Sequence, residues 1–272
     1  MRSMIITVAL VMLFCSCGSE PPFEVESATS RLEAAQGGFR DIVIEPKRVD
    51  EVLVHRTSCT AAGEGGTAIP VDVYYPPRFS FRGNAPAVVA SVGNPDWRYS
   101  ISLGRALAAS GLIAVVPNTR HYPDEFSSII AELGTRADEL FIDADRLAVW
   151  AEGHGSPCAL ETVMDAEAPF HTCLQGAVFL SPVMFMGNRQ ELTHDPAELC
   201  SDVPVLVAVA ADDEFYEVRA TVRSFREAAE VAGIPLEYAE VPEGGHNWMS
   251  DADTTASRAT IEEAIRFVRK QL

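Results

Sequence analysis

The chain has 272 residues, 47% of them hydrophobic, with 39 acidic residues against 21 Lys and Arg and a formal net charge of -18. That length suits one large α/β domain or two small ones, and the apolar share is enough for a sizeable buried core. So acidic a surface repels nucleic-acid phosphates, which excludes DNA and RNA as natural partners; otherwise the acidity reads as a soluble surface.

Met1 and Arg2 form a short charged start, and an apolar run follows from Met4 to Phe14. The run is too short to span a bilayer as a helix and fits the apolar part of a signal peptide. It ends in Phe14-Cys15-Ser16-Cys17-Gly18. Small residues before a cysteine, directly after such a run, resemble the lipobox of bacterial lipoproteins, although Phe14 stands where Leu is usual. The resemblance implies cleavage before Cys17, lipid attachment to its thiol, and export to a bacterial membrane, periplasmic or cell-surface, that anchors the protein without being spanned by it. An ordinary signal peptide that happens to contain cysteines is the alternative. Residues 1–16 are thus expected to be a lipoprotein signal peptide. Residues 17–45, with Pro21, Pro22, Gly37 and Gly38 and little periodicity, are expected to be a tether and docking segment. Residues 46–272 are expected to form one domain.

In chain order, Asp50 to Thr57 and Ala68 to Tyr75 read as two strands around the Gly63-Glu64-Gly65-Gly66 turn. Ala87 to Val92 reads as a buried strand, Ser100 to Ser110 as a helix stopped near Gly111, and Leu112 to Val116 as the next strand. Pro123 to Leu140 is expected to be one helix, with Pro near its start. Arg146 to Ala151 reads as a strand, Ser156 to Ala166 as a helix and Leu174 to Leu180 as a strand. Residues 182–203 are irregular and read as a small cap. Val205 to Ala210 and Leu236 to Val241 complete the strands, with a helix from Glu217 to Ala232 between them and an amphipathic helix from Thr254 to Leu272 at the end. Continuous apolar strands alternating with helices imply a mostly parallel sheet covered on both faces, with any site at the carboxyl ends of the strands.

Four turns at those ends carry the chemistry. After the strand ending at Ala151 comes Glu152-Gly153-His154-Gly155. It resembles the nucleophile elbow of esterases, G-x-S-x-G, a bend so sharp that its flanking positions must be small. Ala151 and Gly155 supply them, and the nucleophile position then holds Gly153. Shifting the frame to make Ser156 the nucleophile would place His154 and Cys158 at the flanks, where they should clash. After Ala210 comes Ala211-Asp212-Asp213, which resembles an acid-bearing loop, with Asp213 as the acid and Asp212 as the alternative. After Val241, Gly244-Gly245-His246 resembles a catalytic histidine loop. Ala90-Ser91-Val92-Gly93-Asn94-Pro95 sits where an oxyanion loop belongs; Val92 replaces its histidine, Pro95 has no N–H, and the N–H groups of Asn94 and His154 remain as donors. Together with Pro117-Asn118-Thr119-Arg120, these matches identify the chain as a member of the α/β-hydrolase superfamily, carboxylesterase- or lipase-like, over about residues 50–272. The resemblance implies a mostly parallel sheet of about eight strands with helices on both faces, an N-terminal antiparallel hairpin and a small cap.

In a working triad the histidine takes a proton from a hydroxyl and the acid orients the histidine. Gly153 has no side chain to attack a carbonyl, so the acyl-enzyme route is closed at that position. A glycine also relieves the positive-φ strain that a serine would bear, on the order of 1–3 kcal/mol. Two functions follow. One is an esterase or amidase on a small substrate, using a water activated by His246 and Asp213, or Ser156; such general-base catalysis is worth ~10²–10⁴-fold. The other is a pseudoenzyme that holds a small ester-like ligand, or a protein partner, in the altered site. His154 is expected to point away from the pocket and Cys158 to be buried, which leaves neither as a covalent group. Met184, Phe185 and Met186 read as core packing rather than pocket lining, and Trp97 and Tyr99 are weaker pocket candidates. No cofactor motif and no metal-ligand cluster is present in the sequence. Cys59, Cys158, Cys173 and Cys200 allow three disulfide pairings, among which the spacing does not choose.

Overall fold

The computed structural model describes residues 21–35, 40–60, 66–93, 96–119, 123–165, 167–168, 171–184, 203–233 and 235–272. The signal segment, Cys17, Asn94, Cys200 and most of the cap lie outside them. Among the described residues no helix is long and apolar enough to cross a membrane.

The strands are β1 (Glu26–Ser27), β2 (Leu53–Thr60), β3 (Ala68–Tyr75), β4 (Ala85–Ser91), β5 (Ile113–Pro117), β6 (Ile142–Glu152), β7 (Leu174–Leu180), β8 (Val205–Ala210) and β9 (Leu236–Val241). The helices are α1 (Ala28–Glu33), α2 (Arg98–Ala109), α3 (Pro123–Thr135), α4 (Ala137–Leu140), α5 (Ser156–Met164), α6 (Tyr216–Ala232), α7 (Trp248–Asp251) and α8 (Thr255–Gln271). One sheet runs in the order β1-β2-β3-β5-β4-β6-β7-β8-β9. Its first three pairings are antiparallel and all those from β5 onward are parallel.

The continuous apolar strands follow from this architecture. Side chains alternate across a sheet, so a strand covered on both faces must be apolar at every position. Along β4, Ala87 and Val89 join one core while Val88 and Ala90 join the other; along β6, Leu147 and Val149 separate from Ala148 and Trp150 in the same way. The first core is closed by α3, α5 and α6 through Phe126, Ile129, Leu160, Val222 and Phe225. The second is closed by α1, α2 and α8 through Leu32, Ile101, Leu107, Ile261 and Val268.

Two local differences from the sequence reading have physical causes. The first long strand begins at Leu53 rather than Asp50, because Val49–Glu51 form a 3-10 turn. The helix expected from Pro123 to Leu140 is interrupted at Arg136, whose backbone leaves helical geometry (φ -106°, ψ 11°). Its guanidinium meets Thr57 and Ser58 of β2 as well as Glu132 and Glu139. Within the segment read as tether and docking piece, β1 pairs with β2, and Ala28, Leu32, Ile42 and Ile44 are buried.

Candidate active site

β6 sits at the middle of the parallel half, between β4 and β7. At its end the chain turns through Gly153, with φ +47°, into a single 3-10 turn (Gly153–Gly155), and α5 follows. The bend needs small residues for a measurable reason. A Cβ on Gly155 would lie 2.1 Å from the carbonyl oxygen of Ser91 and 2.7 Å from its hydroxyl, at the end of neighbouring β4. The Gly153 carbonyl accepts the Val183 N–H at 3.0 Å, which ties the bend to the segment after β7.

The other two loops lace together. Three successive carboxylates, Asp212, Asp213 and Glu214, follow β8, and each takes part of Gly244-Gly245-His246 after β9. Asp212 accepts the N–H groups of Gly244 and Gly245 at 3.2 and 3.0 Å. Those two bonds hold its carboxyl below the usual carboxylate range. Glu214 accepts the N–H of His246 at 2.8 Å. Asp213, fully buried, meets the ring: its Oδ2 is 2.9 Å from His246 Nδ1, and its Oδ1 accepts the Phe215 N–H at 2.9 Å. Positive φ values at Gly244 and Gly245 (+128° and +64°) let the loop turn closely enough for this, since a Cβ on Gly245 would stand 2.8 Å from Glu214 Oε2.

A neutral imidazole that donates from Nδ1 to Asp213 presents its Nε2 lone pair on the other side. That nitrogen faces the bend: a Cβ built on Gly153 would lie 3.6 Å from it, with no other described atom outside the adjoining chain within 4 Å. The structure thus brings Gly153, His246 and Asp213 together. Ser156 is placed elsewhere. It is fully buried at the start of α5, and among the described residues its hydroxyl has no hydrogen-bond partner, the imidazole included. His154 is exposed beside the bend. Cys158 is buried, and burial pushes its thiol up to about 12, far from a reactive thiolate. Cys59 and Cys173 carry free thiols. Met184 is core.

One residue takes a place other than that expected from the sequence, and another was missed. Tyr99 is not at an open pocket wall; it is buried, and its hydroxyl donates to Glu152 Oε1 at 2.8 Å. Glu152 itself was missed. It precedes the tip of the bend, is only 8% exposed, and also accepts from the Trp150 indole at 2.7 Å. Burial, partly offset by these two donors and by nearby His246, raises its carboxyl to about 7. The available signal was a lone glutamate closing an otherwise apolar run, Leu147 to Ala151. Around this centre stand exposed aromatic rings: Trp97, which lies over Gly93, and Phe215, edge-on to His246 with ring centroids 4.7 Å apart.

No protein-family model matches the chain, and no curated protein matches it in sequence. Solved structures do match in shape. The chain is similar to esterase Est22, with a TM-score of 0.67 at 16% identity over 90% of this chain and 93% of that one. A bacterial heroin esterase gives 0.68 at 15% identity over 82% and 86% of the two chains. A thermostable esterase from Pseudomonas putida ECU1011 gives 0.67 at 17% over 90% and 88%. With the sheet order described above, the elbow between β6 and α5 and the two loops after β8 and β9, the chain has the α/β-hydrolase fold.

Proposed function

We propose that this is an esterase-like α/β-hydrolase domain whose nucleophile position is vacant, and that it binds a small ester-like ligand there without forming an acyl-enzyme. One observation carries the reading: His246 Nε2, backed by buried Asp213, faces a glycine at the distance where a serine side chain would stand. A fluorophosphonate, which labels activated serines covalently, should leave the protein unmodified by intact-mass spectrometry. Labelling that disappears in Ser156→Ala would overturn the reading and make the protein an ordinary serine esterase.

A second reading is favoured by the intact His246–Asp213 pair. A water in the space before Gly153, deprotonated by Nε2, would attack a bound ester slowly. It stands only if ester hydrolysis by the protein depends on His246.

We also infer that the protein is exported and lipid-anchored through Cys17. The support is sequence alone, the apolar run from Met4 to Phe14 followed by Cys15-Ser16-Cys17. In a bacterial host the membrane-bound protein should carry a diacylglycerol-sized mass increment at its new N-terminus. A Cys17→Ala chain that partitions and weighs like the original would refute the assignment.

A further inference from the structure

A basic, aromatic-lined edge lies at the opposite end of the sheet from the elbow. Between Asp72 and Asp96 the sequence carries no acidic residue, and its charged residues there are Arg78 and Arg82. Both stand exposed in the loop from β3 to β4, Arg78 with 74% of its side chain open. Phe79 and Phe81 alternate with them, and their rings pack 5.1 Å apart. Phe23 joins the same cluster, with its ring 5.9 Å from that of Phe81 and 6.1 Å from that of Phe141. Phe81 is buried, while Phe23 and Phe79 stay half-buried. Arg48 shares the Glu51 carboxylate with Arg78, at 2.7 and 3.4 Å. The acids beside this edge, Glu24, Glu51 and Asp138, are thus outnumbered by Lys47, Arg48, Arg78 and Arg82 on a molecule that is otherwise strongly negative.

The edge is one strand length from the elbow. Phe141 precedes β6, and its carbonyl accepts the Ala85 N–H at the start of β4. Ser91, at the other end of β4, is the residue that crowds Gly155 of the elbow. The six steps from Ala85 to Ser91 cover about 20 Å. Cys17 precedes Phe23 by six residues, and six residues span about 20 Å only when fully extended. A lipid at Cys17 could bring the elbow to a bilayer only if those residues ran at full stretch along the whole of β4. It brings the Phe23 edge there without any stretch. The elbow end also has the wrong charge for anionic headgroups, since Asp212, Glu214 and Glu243 stand exposed around it.

We propose that Arg78 and Arg82, with Phe23 and Phe79, dock on an anionic lipid surface, and that the vacant elbow opens to water on the far side of the domain. Arginines beside half-buried rings suit the headgroup layer, where a guanidinium meets phosphate and an aromatic ring lies at the boundary. The ligand that reaches the elbow is then water-borne rather than a lipid drawn from the same bilayer. The reach argument rests on the lipid-anchor reading; the charge argument does not.

Hydrogen–deuterium exchange of the full-length protein purified from bacterial membranes tests this, on vesicles of phosphatidylcholine alone and on vesicles that also contain phosphatidylglycerol. The amides of residues 78–84 should exchange more slowly on the anionic vesicles. Arg78→Gln together with Arg82→Gln, both at exposed positions, should lose that protection while the protein stays with the vesicles. Trp97, the exposed tryptophan and the one at the elbow end, should keep its fluorescence when the lipid chains are brominated. Equal exchange of residues 78–84 on the two kinds of vesicle, or quenching of Trp97, would overturn the proposal. Intact mass reports separately whether Cys17 carries lipid. A chain without that lipid that still gains protection when anionic vesicles are added keeps the docking surface and refutes the anchor alone.

Discussion

Restoring a hydroxyl at the bend, Gly153→Ser, is the sharpest perturbation available. The added Cβ would make an ordinary contact with His246 Nε2, at 3.6 Å. One further bond toward the ring brings Oγ within the ~2.6–3.2 Å reach that a general base requires. The backbone there has φ +47°, so a serine bears strain of about 1–3 kcal/mol. The new hydrogen bond returns about 0.5–1.5 kcal/mol. The variant should therefore fold with a net loss of about 1 kcal/mol, and for a chain of this size its thermal midpoint should fall by roughly 2–4 °C. It should become labelled by a fluorophosphonate and gain p-nitrophenyl ester hydrolysis over the parent. The gain should be small, because the loop that resembles an oxyanion loop in sequence has Val92 where a histidine is usual and Pro95 without an N–H; one missing oxyanion donor costs about 10²–10³-fold. A folded Gly153→Ser protein that stays unlabelled would refute the reasoning, since the base, its acid and the hydroxyl would all be present without an activated nucleophile.

Glu152 makes a pH prediction. Its carboxyl is raised to about 7 in the folded protein, chiefly by burial, so between about pH 4.5 and 7 the native state keeps a proton that the unfolded chain has released. Stability then falls as pH rises through that window, at most by about 1.4 kcal/mol for each pH unit crossed. Glu152→Gln keeps an acceptor for Tyr99 and Trp150 without the charge and should flatten this decline in urea unfolding between about pH 5 and 8; equal slopes in the two proteins would sink the assignment. If the protein hydrolyses p-nitrophenyl esters at all, His246→Ala should lower the rate by about 10²–10⁴-fold; an unchanged rate removes the activated-water reading.

The parallel half of the sheet was legible because its inner strands are buried on both faces and its outer strand, β9, follows a clear helix-to-strand break. Leu174–Leu180, Val205–Ala210 and Leu236–Val241 run between the bounds expected of them. β2 was misplaced by three residues because no local signal announces the 3-10 turn that takes up Val49–Glu51. The contacts by which the N-terminal segment docks were illegible for another reason. Its strand has two residues, and Arg31 packs as a charged group against an aspartate in β3 that is 1% exposed, so neither partner looks like core. Glu152 was hidden in the same way: a buried carboxyl is satisfied by Tyr99, 53 positions away, and no local pattern announces that. The pairing of Asp213 rather than Asp212 with His246 is likewise a matter of which carboxyl faces which loop; the spacing after β8 suggested it, and the atoms that distinguish the two aspartates lie across the sheet end.

The two ends of the sheet differ in how they meet water. An outer strand offers unpaired backbone groups to any passing chain and invites sheet-to-sheet growth. At one end, β1 is two residues long and pairs only with Leu53 and Val54 of β2. At the other, β9 has six residues, and Glu237 and Glu240 stand exposed along it. A second copy laid alongside would bring like charges together on a molecule already strongly negative. Stacking of this domain into fibres through its sheet is thereby opposed at the β9 border.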